Sequence, residues 1–520
     1  MAEQPARPQL VLSTLILVAA VANLNLAVAN VALPDIAKAF DATQTQVNLV
    51  AVGYSLGLAA TVLYLGALGD RYGRKGMLII GLTLAVPASA VAAYAPNVEV
   101  LIAARILGGV SAGMAFPTTL ALITALWAAG PKRTRTIALW SALGGGVAAL
   151  GPLISGLLLE SFWWGSVFLA TVPLAVLALV LSSLLIPAHV NESAEPVDHP
   201  GGVLSVLFVG GLVLGINFAA VPNAGTLVAA LSLLGLGAGL GFVWRQRRAA
   251  NPLYDLQVAA RPTFWVAAVA GTLIFGSLMG AMFIGQQYLQ NVLSYSTVEA
   301  GAAILPAVVL MVLAAPRSAR LVEAHGSRVT LLLGYVPIIG GFLVMLLLWD
   351  ADAAYWAVGI GYGLVGAGVG LAGTPASRAL TGSVPRQRAG MASATADLQR
   401  DLGGAVMMSI LGVLLTAGYA KAATTDVGVT PDVTEATQAT FTKSFAGAES
   451  VAAQFPEQSD AIVAAAQEAF LAGDQWAYLA GLVTVLVGAT LVWFAYPRQQ
   501  RERELLAKYQ PGQPTDSRSD

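Results

Sequence analysis

Four ionisable side chains fall deep inside long apolar runs of this sequence. One is Arg105, and the other three, Asp397, Arg400 and Asp401, lie within one short stretch. Asp397 and Asp401 are four residues apart, so a helix places them on one face, and Arg400 is spaced to pair with Asp397. An ionisable group at membrane depth is a functional candidate by default. Because a carboxyl in a partly dry cavity can exchange a proton near neutral pH, this pattern indicates proton or cation binding.

The same side chains also have a structural interpretation. Asp397 and Arg400 can form an ion pair near the inner surface, with Asp401 completing the network. Arg105 can act as a tether to backbone carbonyl groups of the first helix, or it can relay protons or contact an anionic group of a substrate. The sequence leaves both interpretations open.

Other kinds of chemistry are poorly represented. The absence of cysteine excludes disulfides, thiolate metal sites and thiol catalysis. The three histidines, His189, His199 and His325, fall in predicted polar loops. We therefore expect no metal centre and no cofactor. The sequence contains no phosphate-binding loop of the ATPase type and no nucleophile–base set, which argues against an ATP-driven pump and against an enzyme. A net charge of −1 gives no field that would attract nucleic acid.

The elements that carry these residues must be membrane helices. Hydrophobic residues make up 57% of the 520 residues and charged residues only 11%, whereas soluble proteins carry about 25% charged residues. The first apolar run, from Leu10, is longer than a signal peptide requires and is interpreted as a membrane span. The sequence predicts an all-α polytopic membrane protein in a lipid bilayer.

Apolar runs of about 20 residues predict fourteen transmembrane helices. The predicted spans are 10–33, 47–68, 76–95, 100–125, 135–159, 164–186, 203–220, 226–244, 263–287, 299–316, 329–349, 354–376, 389–419 and 476–496. Arginine and lysine concentrate in every second loop, and the other loops carry only Lys38, Lys421 and Lys443. The positive-inside bias therefore places both termini in the cytoplasm.

The loop from Gly66 to Lys75 is short and highly charged, between two apolar runs. Its glycines permit a tight turn, and its acid can pair with its bases or cap the next helix. The residues that would form a conformational latch are Gly66, Asp70, Arg71, Gly73, Arg74 and Lys75. The alternative is a loop that only sets the membrane topology.

A degenerate copy of this loop occurs 253 residues later. The octet Leu68–Lys75 aligns with Leu321–Arg328, and leucine, acid, glycine and base recur at the same offsets. The residues of this second latch are Glu323, Gly326 and Arg328. Two similar halves around a central site are typical of secondary transporters, although one octet can also arise by chance.

These motifs resemble those of the major facilitator superfamily, in particular its fourteen-span drug:proton antiporter branch. The loop Gly66–Lys75 is similar to the family's loop between helices two and three. Arg105 corresponds to a fourth-helix arginine motif, and Gly151-Pro152 with Gly156 resembles the fifth-helix antiporter motif, which implies a hinge in that helix. The resemblance also places cation-recognising or protonated acids near Asp397. One departure is Asn25, which stands where the branch often has an aspartate; an amide cannot exchange a proton.

The resemblance implies two six-helix bundles with two extra central helices. The expected units are 1–190 and 263–497 for the bundles, 191–262 for the inserted helices and 498–520 for a cytoplasmic tail, with a long outer loop at 421–475. The expected function is export of amphipathic drugs, cationic ones among them, by proton antiport across a bacterial inner membrane, by a monomer. The alternatives are export of a lipid or endogenous metabolite with weak or altered proton coupling, and a receptor or scaffold that does not transport.

Overall fold

The computed structural model describes residues 7–127, 131–188, 196–219, 221–384, 389–426 and 435–509. Every regular element in these ranges is a helix. Twelve of the helical segments are long and apolar enough to cross a membrane. The described part of the chain is therefore an all-helical, multi-span membrane protein, as the sequence predicts.

The N-terminal half consists of eight helices. They are α1 (Pro8–Ala27), α2 (Ala29–Phe40), α3 (Gln44–Tyr72), α4 (Arg74–Ala93), α5 (Val98–Leu126), α6 (Pro131–Ser161), α7 (Ser166–Leu169) and α8 (Thr171–Leu185). Thr43 begins α3 with a capping box to Gln46, and the side chain of Asn97 accepts a hydrogen bond from the amide of Val100 at the start of α5. α1 is a candidate span by itself, and α7 and α8 together form another, Ser166–Leu185.

Glycines set the distance between α3 and α5. A Cβ atom at Gly57 would lie 2.2 Å from the carbonyl oxygen of Ile106, and one at Gly109 would lie 2.0 Å from that of Tyr54. Any larger residue would therefore force the two backbones apart. Close approach at small residues is the usual basis of helix packing in membranes, where the hydrophobic effect gives no driving force between helices.

Two further helices, α9 (His199–Phe218) and α10 (Gly225–Gln246), pack against each other. α9 also contacts one helix of each half, α3 and α16. The amide nitrogen of Asn217 donates a 2.6 Å hydrogen bond to the hydroxyl of Ser409, and the hydroxyl of Tyr64 lies 2.9 Å from Nδ1 of His199. The inserted pair thus touches both halves through α9.

The C-terminal half follows. Its elements are α11 (Leu256–Ala259), α12 (Pro262–Asn291), α13 (Thr297–Ala302), α14 (Leu305–Leu348), α15 (Tyr355–Gly382), α16 (Ala389–Asp426), α17 (Glu435–Lys443), α18 (Phe445–Gln454), a 3-10 turn (Pro456–Gln458), α19 (Ser459–Ala495) and the tail helix α20 (Gln499–Tyr509). The predicted outer loop 421–475 contains α17 and α18. α19 begins at Ser459 within the predicted outer loop and continues without a break through the last predicted span, 476–496.

Two predicted spans do not appear as separate candidates. The predicted spans 299–316 and 329–349 lie in one candidate stretch, Thr297–Leu348, which has a turn at 303–304 between α13 and α14 and a kink at Gly326, where the backbone is not helical. The predicted span 135–159 lies inside α6, whose shorter apolar part is Leu150–Ser161. Hydropathy finds both apolar runs, and Gly326 divides α14 within the polar octet at 321–328.

Candidate functional site

A cavity of about 110 Å³ lies between the two halves. Its lining comes from α1, α2, α3, α12, α14 and α16, with Ile304 immediately before α14, and consists of Asn23, Leu26, Ala27, Asn30, Ala51, Leu278, Met279, Met282, Ile304, Ala307, Val308, Met311 and Met408. Four of these side chains are methionines, which adapt to ligands of different shape. An apolar pocket with a few polar groups is the usual form of a small-molecule site.

The three ionisable residues of α16 lie together. Asp397 and Asp401 are 5% and 4% exposed, and the guanidinium of Arg400 interacts electrostatically with both carboxyls. That guanidinium lies over the rings of Phe116 and Phe275, 5.9 Å and 5.7 Å from their centres. Because Phe116 belongs to α5 and Phe275 to α12, the charged stretch of α16 faces both halves. One carboxyl oxygen of Asp401 has no hydrogen-bond partner among the described residues.

Arg105 lies close to the same group of residues. Its Nη1 donates a 2.7 Å hydrogen bond to the carbonyl oxygen of Asn25, and its Nε donates to that of Val50 at 3.2 Å. The guanidinium lies 4.9 Å from the centre of the Tyr54 ring, and Tyr54 interacts electrostatically with Asp401. Arg105 therefore has the tether contacts that the structural interpretation requires, and it also has a buried Nη2 without a described partner, which is available for another ligand.

Asn25 does not line the central cavity. It lies in a separate, smaller cavity inside the N-terminal half. Its side-chain oxygen accepts hydrogen bonds from Thr171 at 3.1 Å and Ser89 at 3.4 Å, and its side-chain nitrogen donates to the carbonyl oxygen of Val21. Asn25 therefore joins α1 to α4 and α8, while its backbone carbonyl group holds Arg105.

The two halves are joined at the end that the charge pattern predicts to be extracellular, here called the outer end. Gln44 donates a 2.8 Å hydrogen bond to Gln287, and Asn48 donates a 3.2 Å bond to Thr416. Gln290 reaches the carbonyl oxygen of Val31 at 3.0 Å. These contacts link α2 and α3 of one half to α12 and α16 of the other, so the outer end is closed.

The helices α17 and α18 add two ion pairs to this closure. Nζ of Lys443 lies 2.7 Å from the carboxylate of Asp41, and Nζ of Lys38 lies 3.2 Å from that of Glu449. The basic and acidic partners alternate between the two sides, so the segment predicted as an outer loop forms a strap from the C-terminal half to α2 and its following turn.

The glycines of the fifth-helix motif lie at contacts of α6. A Cβ atom at Gly156 would lie 2.4 Å from the carbonyl oxygen of Thr297, and one at Gly151 would lie 2.6 Å from Cβ of Ala27. The carbonyl oxygen of Pro152 lies 2.4 Å from where a Cβ of Gly301 would be. Gly151 therefore brings α6 against α1, and Gly156 and Pro152 bring it against α13 of the other half.

At the opposite, inner end, the charged loop connects four helices. Arg74 forms an ion pair with Asp70 at 2.8 Å and donates to the carbonyl oxygen of Ala121, and Lys75 donates to that of Ser183. Gly66 has open space around its Cβ position, and Arg71 lies over the exposed ring of Tyr72. The loop thus joins the inner ends of α3 and α4 to α5 and α8.

The two repeated loops share a backbone feature. Gly73 (φ 115°) and Gly326 (φ 82°) are the glycines with positive φ in the described part of the chain. They occupy the same position of the aligned octets and each separates two helical stretches. Only glycine adopts this region readily, so the repeat extends from side-chain type to backbone conformation.

The acid that accepts a hydrogen bond from the backbone of the second loop is Glu502 of the tail helix, not the aligned Glu323. Glu502 of α20 is 5% exposed, and its carboxylate accepts hydrogen bonds from the amide of Ser327 and from the hydroxyl of Tyr496, both at 3.0 Å. Arg328 donates to the carbonyl oxygen of Trp493, and the carbonyl group of Glu323 accepts from Arg503. A carboxylate at the amide end of a helix is stabilised by the helix dipole.

Removing this contact should loosen the start of the second part of α14. For Glu502→Ala we expect the free energy of local unfolding at the start of this helical stretch to fall by about 1–2 kcal/mol, because the capping carboxylate is lost. Amide exchange at 327–331, followed by mass spectrometry, should become about tenfold faster, since 1.4 kcal/mol corresponds to a factor of ten. Glu504→Ala is the matched control, because Glu504 is exposed on the same helix. Equal exchange rates in the two variants would contradict the capping role.

Comparison with known proteins decides the family. The family model described as "Major Facilitator Superfamily" matches residues 15–408. The chain belongs to the major facilitator superfamily. It is therefore a multi-span membrane transport protein and not an enzyme.

Relatives of this superfamily member include proteins named for multidrug efflux or for drug resistance. It is 32% identical over 468 residues to the multidrug efflux pump LfrA of Mycolicibacterium smegmatis. The alignment covers 90% of this chain and 92% of that protein. It is 31% identical over 394 residues to the multidrug resistance protein Stp of Mycobacterium tuberculosis, with 75% and 72% covered. The methyl viologen resistance protein SmvA of Salmonella typhimurium is 28% identical over 496 residues, with 95% and 99% covered.

Solved structures confirm the fold. A bacterial homologue of the human lysosomal transporter Spinster aligns with a TM-score of 0.64 at 17% sequence identity, over 95% of this chain and 97% of that one. A peptide transporter aligns with a TM-score of 0.63 at 14% identity, over 95% of both chains. At such low identity the likeness concerns the fold alone.

Proposed function

We propose that this protein exports amphipathic organic compounds, including lipophilic cations, in exchange for protons. The observation that carries the proposal is the apolar, methionine-rich cavity between the halves, to which α16 contributes Met408 from the same helix that carries the buried acids Asp397 and Asp401. The cavity suits ligands recognised by shape, and the acids supply negative charge for a proton or a cation. The names of the efflux relatives support the same class of substrate.

In this proposal the acids of α16 carry the coupling proton. A cationic substrate and a proton compete for the negative charge of one group of residues, so binding one favours release of the other. Arg400 holds the carboxyls and Arg105 connects them, through Tyr54, to α1 and α3. The amide of Asn25 carries no proton, and its role is to hold Arg105 in place.

In this proposal the transporter works by alternating access, in which the outer end and the inner end open in turn. The outer end is closed in this structure by the contacts between α2–α3 and α12–α16, and in this proposal release of substrate to the outside requires those contacts to break. We propose that the glycines of α6 form the hinge and that the loops at Gly66–Lys75 and at Glu323–Arg328 are the inner latches. The protein would act as a monomer in the bacterial inner membrane, with both termini in the cytoplasm.

We also propose fourteen spans. The count follows when the stretch from Thr297 to Leu348 is divided at Gly326 and α6 is included as a span. The units are then the bundles 1–190 and 263–497 with the insertion 191–262, of which α9 contacts both. This arrangement places both termini on the same side of the membrane.

A lipid or endogenous metabolite with weaker proton coupling is the second candidate substrate. The replacement of an acid by Asn25 favours it, because a family position that can carry a proton is here an amide. The two candidates differ in what dissipates a proton gradient: lipophilic cations in the first case, and no such compound in the second.

Filling the cavity tests the transport site. Val308 lines the cavity, and for Val308→Trp we expect export of bulky lipophilic cations, such as ethidium, to fall about tenfold because the indole occupies the space that the substrate needs. Efflux of preloaded dye from cells that express equal amounts of each variant gives the measurement.

The neighbouring residue supplies the control for this variant. Val309 is 54% exposed on the outside of α14, so Val309→Trp adds the same group to the lipid-facing surface. We expect it to export dye at the wild-type rate. Equal export by the two tryptophan variants would show that the substrate does not use this cavity.

A further inference from the structure

A second buried carboxyl lies far along the chain from the acids of α16. Asp474 of α19 is 1% exposed, and neither of its carboxyl oxygens has a hydrogen-bond partner in the described part of the chain. It falls within the segment that the sequence predicts as an outer loop, and the structure instead places it inside the C-terminal half near the outer end.

The surroundings of Asp474 are aromatic. Its carboxyl interacts electrostatically with the hydroxyls of Tyr288, Tyr362 and Tyr478, which belong to α12, α15 and α19. The three tyrosine rings surround Trp349: Tyr288 stacks on it at 4.9 Å, and the other two meet its edge at 5.3 Å and 5.7 Å. The rings separate the carboxyl from water.

The donors in this cluster are only partly used. The indole nitrogen of Trp349 donates to the carbonyl oxygen of Ala357, and the hydroxyl of Tyr288 donates to that of Asp350. The hydroxyl of Tyr362 interacts with the side chain of Gln286, whereas the hydroxyl of Tyr478 is buried without a described partner. The hydroxyl of Tyr478 and both carboxyl oxygens of Asp474 thus remain unpaired among the described residues.

The basic side chains of the packed helices are engaged elsewhere. On α16, the ammonium of Lys421 lies over the ring of Trp476, 5.3 Å from its centre. On α18, Glu449 is paired with Lys38. The other titratable group of α16 at this level, Tyr419, donates to the carbonyl oxygen of Phe441. No basic side chain among the described residues forms a hydrogen bond with the carboxyl group of Asp474.

Close packing keeps the cluster in place. A Cβ atom at Gly285 would lie 2.2 Å from the hydroxyl of Tyr362, and one at Gly361 would lie 3.2 Å from the indole of Trp349. On the other side of α19, a Cβ at Gly473 would lie 2.6 Å from the carbonyl oxygen of Leu415. Small residues therefore admit the large rings around the carboxyl.

We propose that Asp474 is a proton-binding site whose occupancy stabilises the state with the outer end closed. A carboxylate removed from water without a cation or a donor is strongly destabilised, and binding a proton removes that destabilisation. The neutral carboxylic acid can then donate to, or accept from, the hydroxyl of Tyr478. In this proposal, water reaches the cluster when the outer end opens, and hydration then stabilises the charged form.

Proton binding at Asp474 is thermodynamically linked to closure of the outer end. A ligand that binds one conformation better shifts the equilibrium towards it, so protons from the outer medium favour closure. The site is separate from Asp397 and Asp401 and needs no drug substrate. It therefore does not rest on the proposed export function.

Infrared spectroscopy of the purified full-length protein tests the site directly. We expect the wild-type protein at neutral pH to show the carbonyl band of a protonated carboxylic acid. That band should lose one component in Asp474→Asn, whose amide is nearly isosteric with the neutral acid. Asp460→Asn is the matched control, because Asp460 is exposed on the same helix and should leave the band unchanged. A band unaltered by a folded Asp474→Asn protein would overturn the proposal.

A second variant covers the case in which Asp474→Asn fails to fold. Tyr478→Phe removes a free hydroxyl beside the carboxyl and keeps the ring, so we expect the same carbonyl component to shift in frequency. An unshifted band would overturn the proposal. Since neither readout involves drug transport, failure here is distinguishable from failure of the export function.

Discussion

Oxidation of the double variant Asn48→Cys/Gly412→Cys is expected to stop transport, and a reductant is expected to restore it. Residue 48 lies on α3 and residue 412 on α16, so a disulfide between them would hold the two halves together at the outer end. A carrier whose outer end cannot open cannot complete its cycle, and we expect the oxidised protein to retain less than about a tenth of its activity.

The geometry of this pair suits a disulfide. A Cβ atom at position 412 would lie 2.8 Å from Cγ of Asn48, which is itself one bond from the Cβ of that residue. Disulfides join Cβ atoms roughly 3.5–4.5 Å apart. Because the natural chain contains no cysteine, the introduced pair has no competing thiol.

A second cysteine pair, placed within one half, is the control that distinguishes locking of the outer end from the effect of a cross-link as such. A Cβ atom at Gly113 would lie 2.7 Å from Oγ1 of Thr61, and both residues belong to the N-terminal half. Oxidised Thr61→Cys/Gly113→Cys should still transport. If the pair 48/412 forms its disulfide, shown by gel mobility, and transport continues, the outer end does not act as a gate.

Neutralising the acids of α16 should remove the dependence of transport on the proton gradient. In Asp397→Asn and in Asp401→Asn the side chain keeps its size but cannot carry a proton. We expect transport driven by a pH gradient to fall at least tenfold in one or both variants, whereas equilibrium binding of a neutral substrate persists. Drug uptake into inside-out vesicles with an imposed gradient gives the rate, and binding to purified protein gives the affinity.

Asp460→Asn, on the exposed outer part of α19, controls for loss of an acid as such.

The two acids of α16 differ in their surroundings. Asp401 interacts with Tyr54 of the other half, while Asp397 lies one turn nearer the inner end. We therefore expect the larger loss for Asp401→Asn. Wild-type dependence on the gradient in both variants would remove the acids of α16 from the coupling mechanism.

The sequence predicts the fold because the signal is large and local. Twenty-residue apolar runs and the alternation of basic loops determine the helices, and the predicted bounds lie close to those observed for most spans. The sequence also predicts the internal repeat: its alignment pairs Gly73 with Gly326, and in the structure both glycines have positive φ. The continuity of α19 could not be predicted, because a helix that extends beyond the bilayer carries ordinary polar residues.

The site was predictable only in part. Arg105 and the acids of α16 stand out as charges in apolar helices, but their partners come from remote segments. The sequence analysis misses Glu502 and Asp474 for the same reason. Glu502 lies in the predicted tail and Asp474 in the predicted outer loop, and the burial of each depends on tertiary packing. The cavity lining is ordinary apolar sequence, so its size and position follow from how the helices cross, not from any motif.

Dissipation of a pH gradient in inside-out vesicles tests the central claim, that organic cations leave in exchange for protons bound by the acids of α16. A fluorescent pH indicator would follow the gradient while lipophilic cations are added to vesicles that contain wild-type protein, Asp397→Asn or Asp401→Asn. Proton antiport requires that cations collapse the gradient with the wild-type protein and that the response is lost in one or both variants. If no cation collapses the gradient, or if both variants respond like the wild type, the claim is contradicted.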